Sequence, residues 1–462
     1  MKILKSSAFV FAVNITEVLS IFLRNTIFAR LLSVQDFGIV ATFTLLTTFL
    51  DLAGQAGLDR MVVQAKDADE PGVQETVHTV QFGLGVLSAL MMLAISAPYA
   101  SFSGTPQLYL AYASLSLIPI FKGLAHLDRV RMQRRGQFGP WAARQIIPSL
   151  GALIAIYPGY VLFKDYRAAL VSIFVQQILA LALSHFGSKR RFAFNFDRAV
   201  MIRAVHFGWP MTVNSILLYF VFNGDRLVIA NIFGLQTLGL FSAAIMLTLT
   251  PINFVARTVQ TTLLPLMSKS SEDKRDRQTQ YNSIVSIFVA SSLIFTGFIF
   301  LFGKEFMVLI LGARFLNAAY FLKVLAICQA IRLIRAAPAL LAMSCGDTKN
   351  PMFANIVRGI FIIISATSAY ISKNLEMMLI IAVVGELIAT YYSGIIARKS
   401  DETSQRYFFF ATTLCFFSMS FMYGSNRFTS PTVSVVAAVV LAVAAVWRLP
   451  QAFRSLHTSA GS

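Results

Sequence analysis

Charge is scarce in this chain. Only 13% of its 462 residues are Asp, Glu, Lys or Arg, where a soluble globular protein carries roughly 25%. Acid is scarcer than base: 21 residues against 39, a formal net charge of +18. The base is too thinly scattered to form a patch, which excludes nucleic acid as a partner. An apolar chain of this kind is not disordered either. The three cysteines, Cys328, Cys345 and Cys415, show no C-x-x-C spacing, which excludes a disulfide framework and leaves them as small apolar fillers. The five histidines (His78, His126, His185, His206, His457) lack metal-ligand spacing. No metal and no cofactor is therefore expected. The P-loop, H-E-x-x-H and G-x-S-x-G motifs are absent, so no enzyme is expected and nothing binds ATP. Any driving force is then an ion gradient or removal of product. Asp67-Ala68-Asp69, beside Glu70 and Pro71, imitates a glycosyltransferase metal motif but reads as a solvated acidic turn.

What is present is apolar. Hydrophobic residues make up 56% of the chain, and phenylalanine alone numbers 41. A spanning helix needs about 20 mostly apolar residues. Fourteen segments qualify: 6–28, 37–58, 77–97, 108–125, 141–161, 168–186, 207–229, 238–257, 284–302, 316–337, 353–371, 376–397, 407–423 and 432–447. The first follows Lys2 and Lys5 like a signal peptide. Asn14, Thr16 and Glu17 interrupt it and no A-x-A site follows, so it reads as an uncleaved membrane helix. Base collects in alternate loops: Lys122, Arg129, Arg131, Arg134 and Arg135; Lys189, Arg190, Arg191 and Arg198; Lys269, Lys274, Arg275 and Arg277; Arg398, Lys399 and Arg406. The intervening segments 98–107 and 230–237 have none. The positive-inside rule then places both termini in the cytoplasm. The fold class expected is an all-α, multi-pass membrane protein of about 14 transmembrane helices.

An internal repeat divides the chain. Shifted by about 201 residues, 29–41 (ARLLSVQDFGIVA) lies over 230–242 (ANIFGLQTLGLFS). Ala29 meets Ala230, Gln35 meets Gln236 and Gly38 meets Gly239. The repeat holds six helices. An even number implies two lobes in the same orientation, in parallel pseudo-repeat around a central cavity. The expected domains are an N-terminal lobe at 1–203, a C-terminal lobe at 204–400, and two extra helices with a cytoplasmic tail at 401–462.

Segment 28–65 contains Ala29-Arg30-Leu31-Leu32, then Phe37-Gly38, then Gly57-Leu58-Asp59-Arg60. The second half contains Phe207-Gly208 and Pro210, Asp225-Arg226, Leu238-Gly239-Leu240, and Leu263 to Pro265. In their order and repetition these stretches resemble the bacterial polysaccharide exporter family. Those proteins are the O-antigen and capsule flippases of the multidrug/oligosaccharidyl-lipid/polysaccharide superfamily. The resemblance covers residues 1–400. It implies a flippase in the bacterial inner membrane that moves undecaprenyl-diphosphate-linked oligosaccharide to the periplasmic leaflet by alternating access. It also implies polysaccharide polymerase or assembly proteins as partners, besides the lipid bilayer.

An ionisable group at membrane depth is costly, so each one is a functional candidate. Asn14, Glu17, Ser20 and Arg24 share one face of the first helix, and Thr44, Thr48, Asp51 and Gln55 one face of the second. A lipid diphosphate is anionic, and arginine suits phosphate oxygens. The candidate headgroup ligands are Arg24, Arg226, Lys323, Arg257, Arg332 and Asn14. The candidates for proton or cation coupling are Glu17, Asp51 and Glu386, since desolvation favours a neutral carboxyl. Competing roles stand beside these. Glu17 with Arg24, and Asp225 with Arg226, are possible internal pairs. Arg257, Arg332, Arg335 and Arg358 lie near cytoplasmic ends, where long side chains snorkel. Prolines 148, 210, 251 and 338 mark kinks or gating bends. A cation-coupled multidrug antiporter of the same superfamily is the alternative transporter, but it wants a more acidic pocket. A membrane glycosyl polymerase, ligase or transferase wants a long outward loop. A scaffold would be indifferent to cavity substitutions.

Overall fold

The computed structural model describes residues 2–428, apart from 55–56, 66, 68, 270–273, 348 and 401–403, and all its regular structure is helical. In chain order the helices are α1 (Lys2–Leu31), α2 (Val34–Gly54), α3 (Leu58–Gln64), α4 (Pro71–Phe102), α5 (Tyr109–Ser114), α6 (Leu117–Gly123), α7 (Asp128–Arg134) and α8 (Gly139–Phe163). Then follow α9 (Arg167–Phe186), α10 (Arg198–Ile232), α11 (Gly234–Lys269), α12 (Lys274–Leu311), α13 (Ala319–Ser344), α14 (Lys349–Ser372), α15 (Leu375–Ser400) and α16 (Arg406–Phe428). Among the described residues, ten of these (α4 and α8 to α16) are long and apolar enough to cross a membrane. The expected span 432–447 and position Gln55 lie outside the described residues.

The described residues of the first thirteen expected segments fall on helix, with two corrections. The second, read as 37–58, is α2 as far as Gly54, and its last residues belong to a left-handed cap at Gly57 and the start of α3 at Leu58. The fourth, read as a continuous helix over 108–125, is a 3-10 turn (Pro106–Leu108) followed by two short helices, α5 and α6. Pro119 explains the break. It has no N–H to give Leu115, and its ring crowds that carbonyl. The Leu115 carbonyl instead accepts from Ile118 N at 3.0 Å, a tighter turn.

Local chemistry sets the helix ends. Ser33 caps α2: its Oγ accepts from Asp36 N at 3.0 Å and donates to the Asp36 carboxylate at 2.6 Å. Asp197 caps α10 by accepting from Ala199 N and Val200 N. Several helices outrun the bilayer. At 1.5 Å per residue, the 38 residues of α12 are roughly twice the length that a hydrocarbon core of about 30 Å needs. Its first turns, Lys-Arg-Asp-Arg-Gln-Thr-Gln, are accordingly polar.

The chain packs as two compact units that divide between Gly239 and Leu240. In the first, Leu58, Met61, Val77, Val80, Leu127, Val130 and Ala204 form a core joining α3, α4, α7 and α10. Packing and repeat thus divide the chain at different places, because α10 packs on α2, α3 and α4. Helices α8 and α9 are the most extensively paired. Gly151 and Gly159 permit this; a methyl on Gly159 would come within 3.2 Å of Ala168 and Val171. In the second unit, α13 is the most enclosed membrane-length helix. Ile327, Ala330, Ile331 and Ile334 pack there with Tyr281, Ile284 and Phe288 of α12 and Phe408, Cys415 and Met419 of α16. On α8 and α14 large apolar side chains point outward, with Ile154 74% and Ile363 67% exposed. Such faces suit lipid.

The repeat-related segments touch inside the first unit. A methyl on Gly38 would overlap the Leu235 carbonyl, and one on Gly239 would overlap the Val34 carbonyl. Residues 34 and 235, like 38 and 239, are equivalent under the sequence repeat. Reciprocal contact of this kind is what a local two-fold axis produces.

Candidate functional site

The first unit encloses a cavity of about 630 Å³, a size usual for ligand sites. Helices α1 to α4 and α6 to α10 contribute to its wall. Four cations (Arg60, Lys122, Arg129, Arg144) and three carboxylates (Glu17, Asp51, Asp59) line it. Five glutamines, at 81, 133, 145, 176 and 177, the hydroxyls of Ser88, Ser149, Thr212 and Ser215, and Trp141 complete the polar part.

Several of these side chains hold one another. Lys122 forms an ion pair with Asp51. Gln81 Nε2 donates to the carbonyls of Lys122, Gly123 and Ala125 at 2.8, 3.1 and 2.9 Å, which caps α6 and anchors the Lys122 backbone. Arg129 lies 3.7 Å from Asp59. Burial lowers the pKa of the Arg129 guanidinium, and Asp59 opposes that shift. The Arg129 Nη1 and Arg144 Nε atoms are buried without a hydrogen-bond partner among the described residues. Both can serve an anionic or hydroxylic ligand.

Glu17 and Asp51, both named from sequence, line this cavity together. Arg24 stands behind it, its Nη1 donating to Gln176 Oε1 at 2.6 Å, while Gln145 Nε2 donates to Glu17 Oε2 at 3.2 Å. Both charges thus have an amide partner, Gln176 on α9 for Arg24 and Gln145 on α8 for Glu17. Asn14 is exposed and does not line the cavity. Arg226 is half-buried on α10 and is not among the residues lining the cavity.

The second unit gathers a different cluster. Glu386 of α15 is 1% exposed and meets three guanidiniums. Arg332 Nε is 2.6 Å from its Oε1, Arg335 Nη2 is 3.5 Å away and Arg358 Nε 3.6 Å. Arg335 also donates to Asn355 Oδ1 at 3.3 Å. Arg335 and Arg358, expected to snorkel to the surface, are instead buried against this carboxylate. Arg257 is exposed. Lys323 lies over the Phe300 ring, 5.5 Å from its centroid. Of the six headgroup candidates, Arg24, Arg226 and Asn14 belong to the first unit and Lys323, Arg257 and Arg332 to the second.

At the loop-bearing end of the first unit, residues 187–197 form an extended strap. Its anchors are Arg190 Nη1 to Gln74 Oε1 (3.0 Å), Asn195 N to Thr79 Oγ1 (3.1 Å), and Lys189 N to the Asp128 carboxylate (2.7 Å). Phe192 stacks on His78, His126 flanks both rings, and His185 packs on Phe192 and His126. Three histidines that look scattered in sequence are thus neighbours. Among the described residues, no group of three or more His, Cys, Asp or Glu is arranged to hold a metal. Burial lowers the His126 pKa. For Asp128, burial raises the pKa, but the Arg131 guanidinium and the Lys189 N–H outweigh it and hold the carboxyl below its usual range. Asp67 and Asp69 of the acidic turn pair with Arg203 and Arg135, each at 2.7 Å. Of the cysteines, Cys328 and Cys415 are buried as expected, whereas Cys345 is exposed.

Residues 27–320 match the model of one family, described as polysaccharide biosynthesis protein. The chain belongs to that family. With it come membership of the polysaccharide exporters and flippases in the multidrug/oligosaccharidyl-lipid/polysaccharide superfamily. Among curated relatives, this family member is 29% identical over 269 residues to the succinoglycan biosynthesis transport protein ExoT of Rhizobium meliloti (strain 1021), covering 56% of this chain and 52% of that protein. It is 20% identical over 266 residues to the lipopolysaccharide biosynthesis protein WzxC of Escherichia coli (strain K12), covering 57% and 54%. The matches thus span about half the length of these relatives. In fold it resembles the lipid II flippase MurJ in an inward closed conformation, with a TM-score of 0.68 at 13% identity over 96% of this chain and 98% of that one. It also resembles an inward-facing multidrug-resistance transporter of the MATE family, with a TM-score of 0.66 at 15% identity over 84% and 96%. At these identities the structural likeness concerns the fold.

Cavity residues outside the sequence candidates are Lys122, Arg129, Arg144 and the glutamines. Lys122 and Arg129 stood in the sequence as loop base. The signal for Gln145, Gln176 and Gln177 was amides within the otherwise apolar α8 and α9, which spacing alone does not aim inward.

Proposed function

We propose that this protein is a flippase for undecaprenyl-diphosphate-linked oligosaccharide, carrying a polysaccharide repeat unit across the bacterial inner membrane by alternating access. The observation that supports this reading best is the cavity of the first unit. Its wall of amides, one tryptophan and more cations than carboxylates suits a polar sugar next to a diphosphate. Arg144 and Arg129 are the proposed phosphate ligands, since each keeps a buried donor atom unspent. Arg24 and Glu17 act on the same site through their glutamines. Arg226, Lys323, Arg257 and Asn14 take secondary roles along the path or at its rim.

The fourteen spans, cytoplasmic termini and two six-helix repeats (1–203 and 204–400, with 401–462 appended) belong to the same reading. The reciprocal contact of residues 34 and 38 with 239 and 235 supports the repeat. The named relatives in succinoglycan transport and lipopolysaccharide biosynthesis support a polysaccharide pathway, in which a polymerase receives the product. Glu17, Asp51 and Glu386 are the proposed coupling carboxylates, with Asp51 held by Lys122 and Glu386 by Arg332. The multidrug alternative shares the fold but is less suited to a cavity rich in amides and guanidiniums.

Translocation tests the proposal directly. Proteoliposomes containing the protein and a lipid-linked oligosaccharide are treated with a membrane-impermeant glycosidase. Exchange between leaflets makes nearly all the glycan cleavable, against about half in protein-free vesicles. Cleavage that stops at half with correctly inserted protein overturns the reading, as does normal exchange in the Arg129→Gln, Arg144→Gln double variant for the assigned phosphate ligands.

A further inference from the structure

Glu17 and Arg24 are the most conspicuous charges of α1, yet each is spent on a glutamine. Gln145 projects from α8 and Gln176 from α9, and both line the same cavity. The partner of each amide decides which of its ends remains. A guanidinium has donors only, so Arg24 Nη1, at 2.6 Å, must face the carbonyl oxygen of Gln176. An ionised carboxylate has acceptors only, so Glu17 Oε2, at 3.2 Å, must face the NH2 group of Gln145. The Gln176 NH2 group and the Gln145 carbonyl oxygen are left over, and neither atom is engaged by another hydrogen bond among the described residues. One amide therefore presents donors and the other an acceptor, on adjacent and closely packed helices.

We infer that Gln145 and Gln176 form a hydroxyl-reading subsite for the first sugar of the lipid-linked substrate, with Glu17 and Arg24 as positioning residues. This rests on the flippase reading and adds which part of the substrate the cavity recognises here. A sugar hydroxyl both donates and accepts, so a vicinal pair on a pyranose ring satisfies one donor and one acceptor together. A purely anionic group is not matched, since the Gln145 oxygen repels it. Arg129 and Arg144, with unspent donors in the same cavity, suit the diphosphate instead. The charges of Glu17 and Arg24 thus act without touching the substrate. They keep the two amides from rotating, and so keep the donor and acceptor from exchanging places.

The test compares two lipids in nanodiscs: undecaprenyl diphosphate, and undecaprenyl diphosphate carrying one galactose. The readout is the ratio of their affinities. The wild-type protein is expected to prefer the galactosyl lipid by about tenfold, the worth of one to two hydroxyl hydrogen bonds. Gln176→Glu keeps the contact with Arg24 but turns the donor into an acceptor, and the ratio should fall to about one. Arg24→Lys, still a pure donor, should retain the preference, while Arg24→Glu, which reverses the amide, should abolish it. A purely structural role for these residues predicts no change in the ratio for any variant that still melts like the wild type. Equal wild-type binding of both lipids, or an unchanged preference in Gln176→Glu, overturns the subsite. Wild-type binding of neither lipid overturns the flippase reading itself.

Discussion

Replacing Glu386 by glutamine removes one charge and almost no volume from the second unit. The carboxylate is 1% exposed and lies 2.6, 3.5 and 3.6 Å from the guanidiniums of Arg332, Arg335 and Arg358. At an effective dielectric near 20, each attraction is about 5–6 kcal/mol. Mutual repulsion of the arginines and the dehydration of four ions oppose it. The variant erases the attraction and leaves the opposing terms in place. Losing one partner of a buried pair costs about 3–5 kcal/mol. For a unit of some two hundred residues that lowers the melting temperature by about 6–20 °C. Thermal unfolding of the detergent-solubilised protein, followed by intrinsic fluorescence, measures the drop. The Arg332→Gln, Glu386→Gln double variant should be less destabilised than the two single losses added, because each single loss already counts the same Arg332–Glu386 attraction. Melting of Glu386→Gln within about 2 °C of wild type would refute the idea that this carboxylate neutralises the arginines.

Two further outcomes follow from the first unit. His126 is neutral in the fold, accepting from Asp128 N at 3.0 Å, and burial lowers its pKa. A group whose folded pKa is depressed stabilises the fold above its unfolded value, near 6.5, and loses that contribution as pH falls toward the folded value. Protection of the strap amides 187–197, measured relative to their intrinsic exchange rate at each pH, should therefore fall between pH 7 and pH 5, and less so in His126→Gln; equal protection at both pH values would exclude the strap as the acid-sensitive part. Gly239→Val should block insertion-competent folding or cost several kcal/mol, since its side chain overlaps the Val34 carbonyl; a full yield of protein with unchanged melting would rule out the close α2–α11 contact.

Much of the fold is legible in the sequence because membrane helices obey one-dimensional rules. Length and apolarity locate a span wherever the helix is continuous. The fourth segment shows the limit: hydropathy does not register that Pro119 cannot donate to Leu115. The repeat is legible for a similar reason, since Gly38 and Gly239 recur where two backbones touch and any side chain would collide.

The candidate site is less legible. Spacing places Glu17 and Arg24 on one face of α1, but it does not say what lies opposite. Gln145 and Gln176 are more than a hundred residues away. Arg335 and Arg358 stand where snorkelling is sterically available, and only the rotation of α13, α14 and α15 turns them inward onto Glu386. Lys122 is counted with the basic loops by any charge rule, yet it reaches back to Asp51 on α2.

The sequence by itself determines that this chain is a helical membrane protein, where its helices run, and to which family it belongs. Those properties follow from local composition, and the bilayer reads composition directly. Only the tertiary structure decides which charges meet, which are exposed, and which amide ends face the cavity. Ion pairs and hydrogen bonds between helices depend on rotations and offsets that no hydropathy pattern carries. A shift of one residue turns a helix by about 100°, enough to move a charge from cavity to lipid.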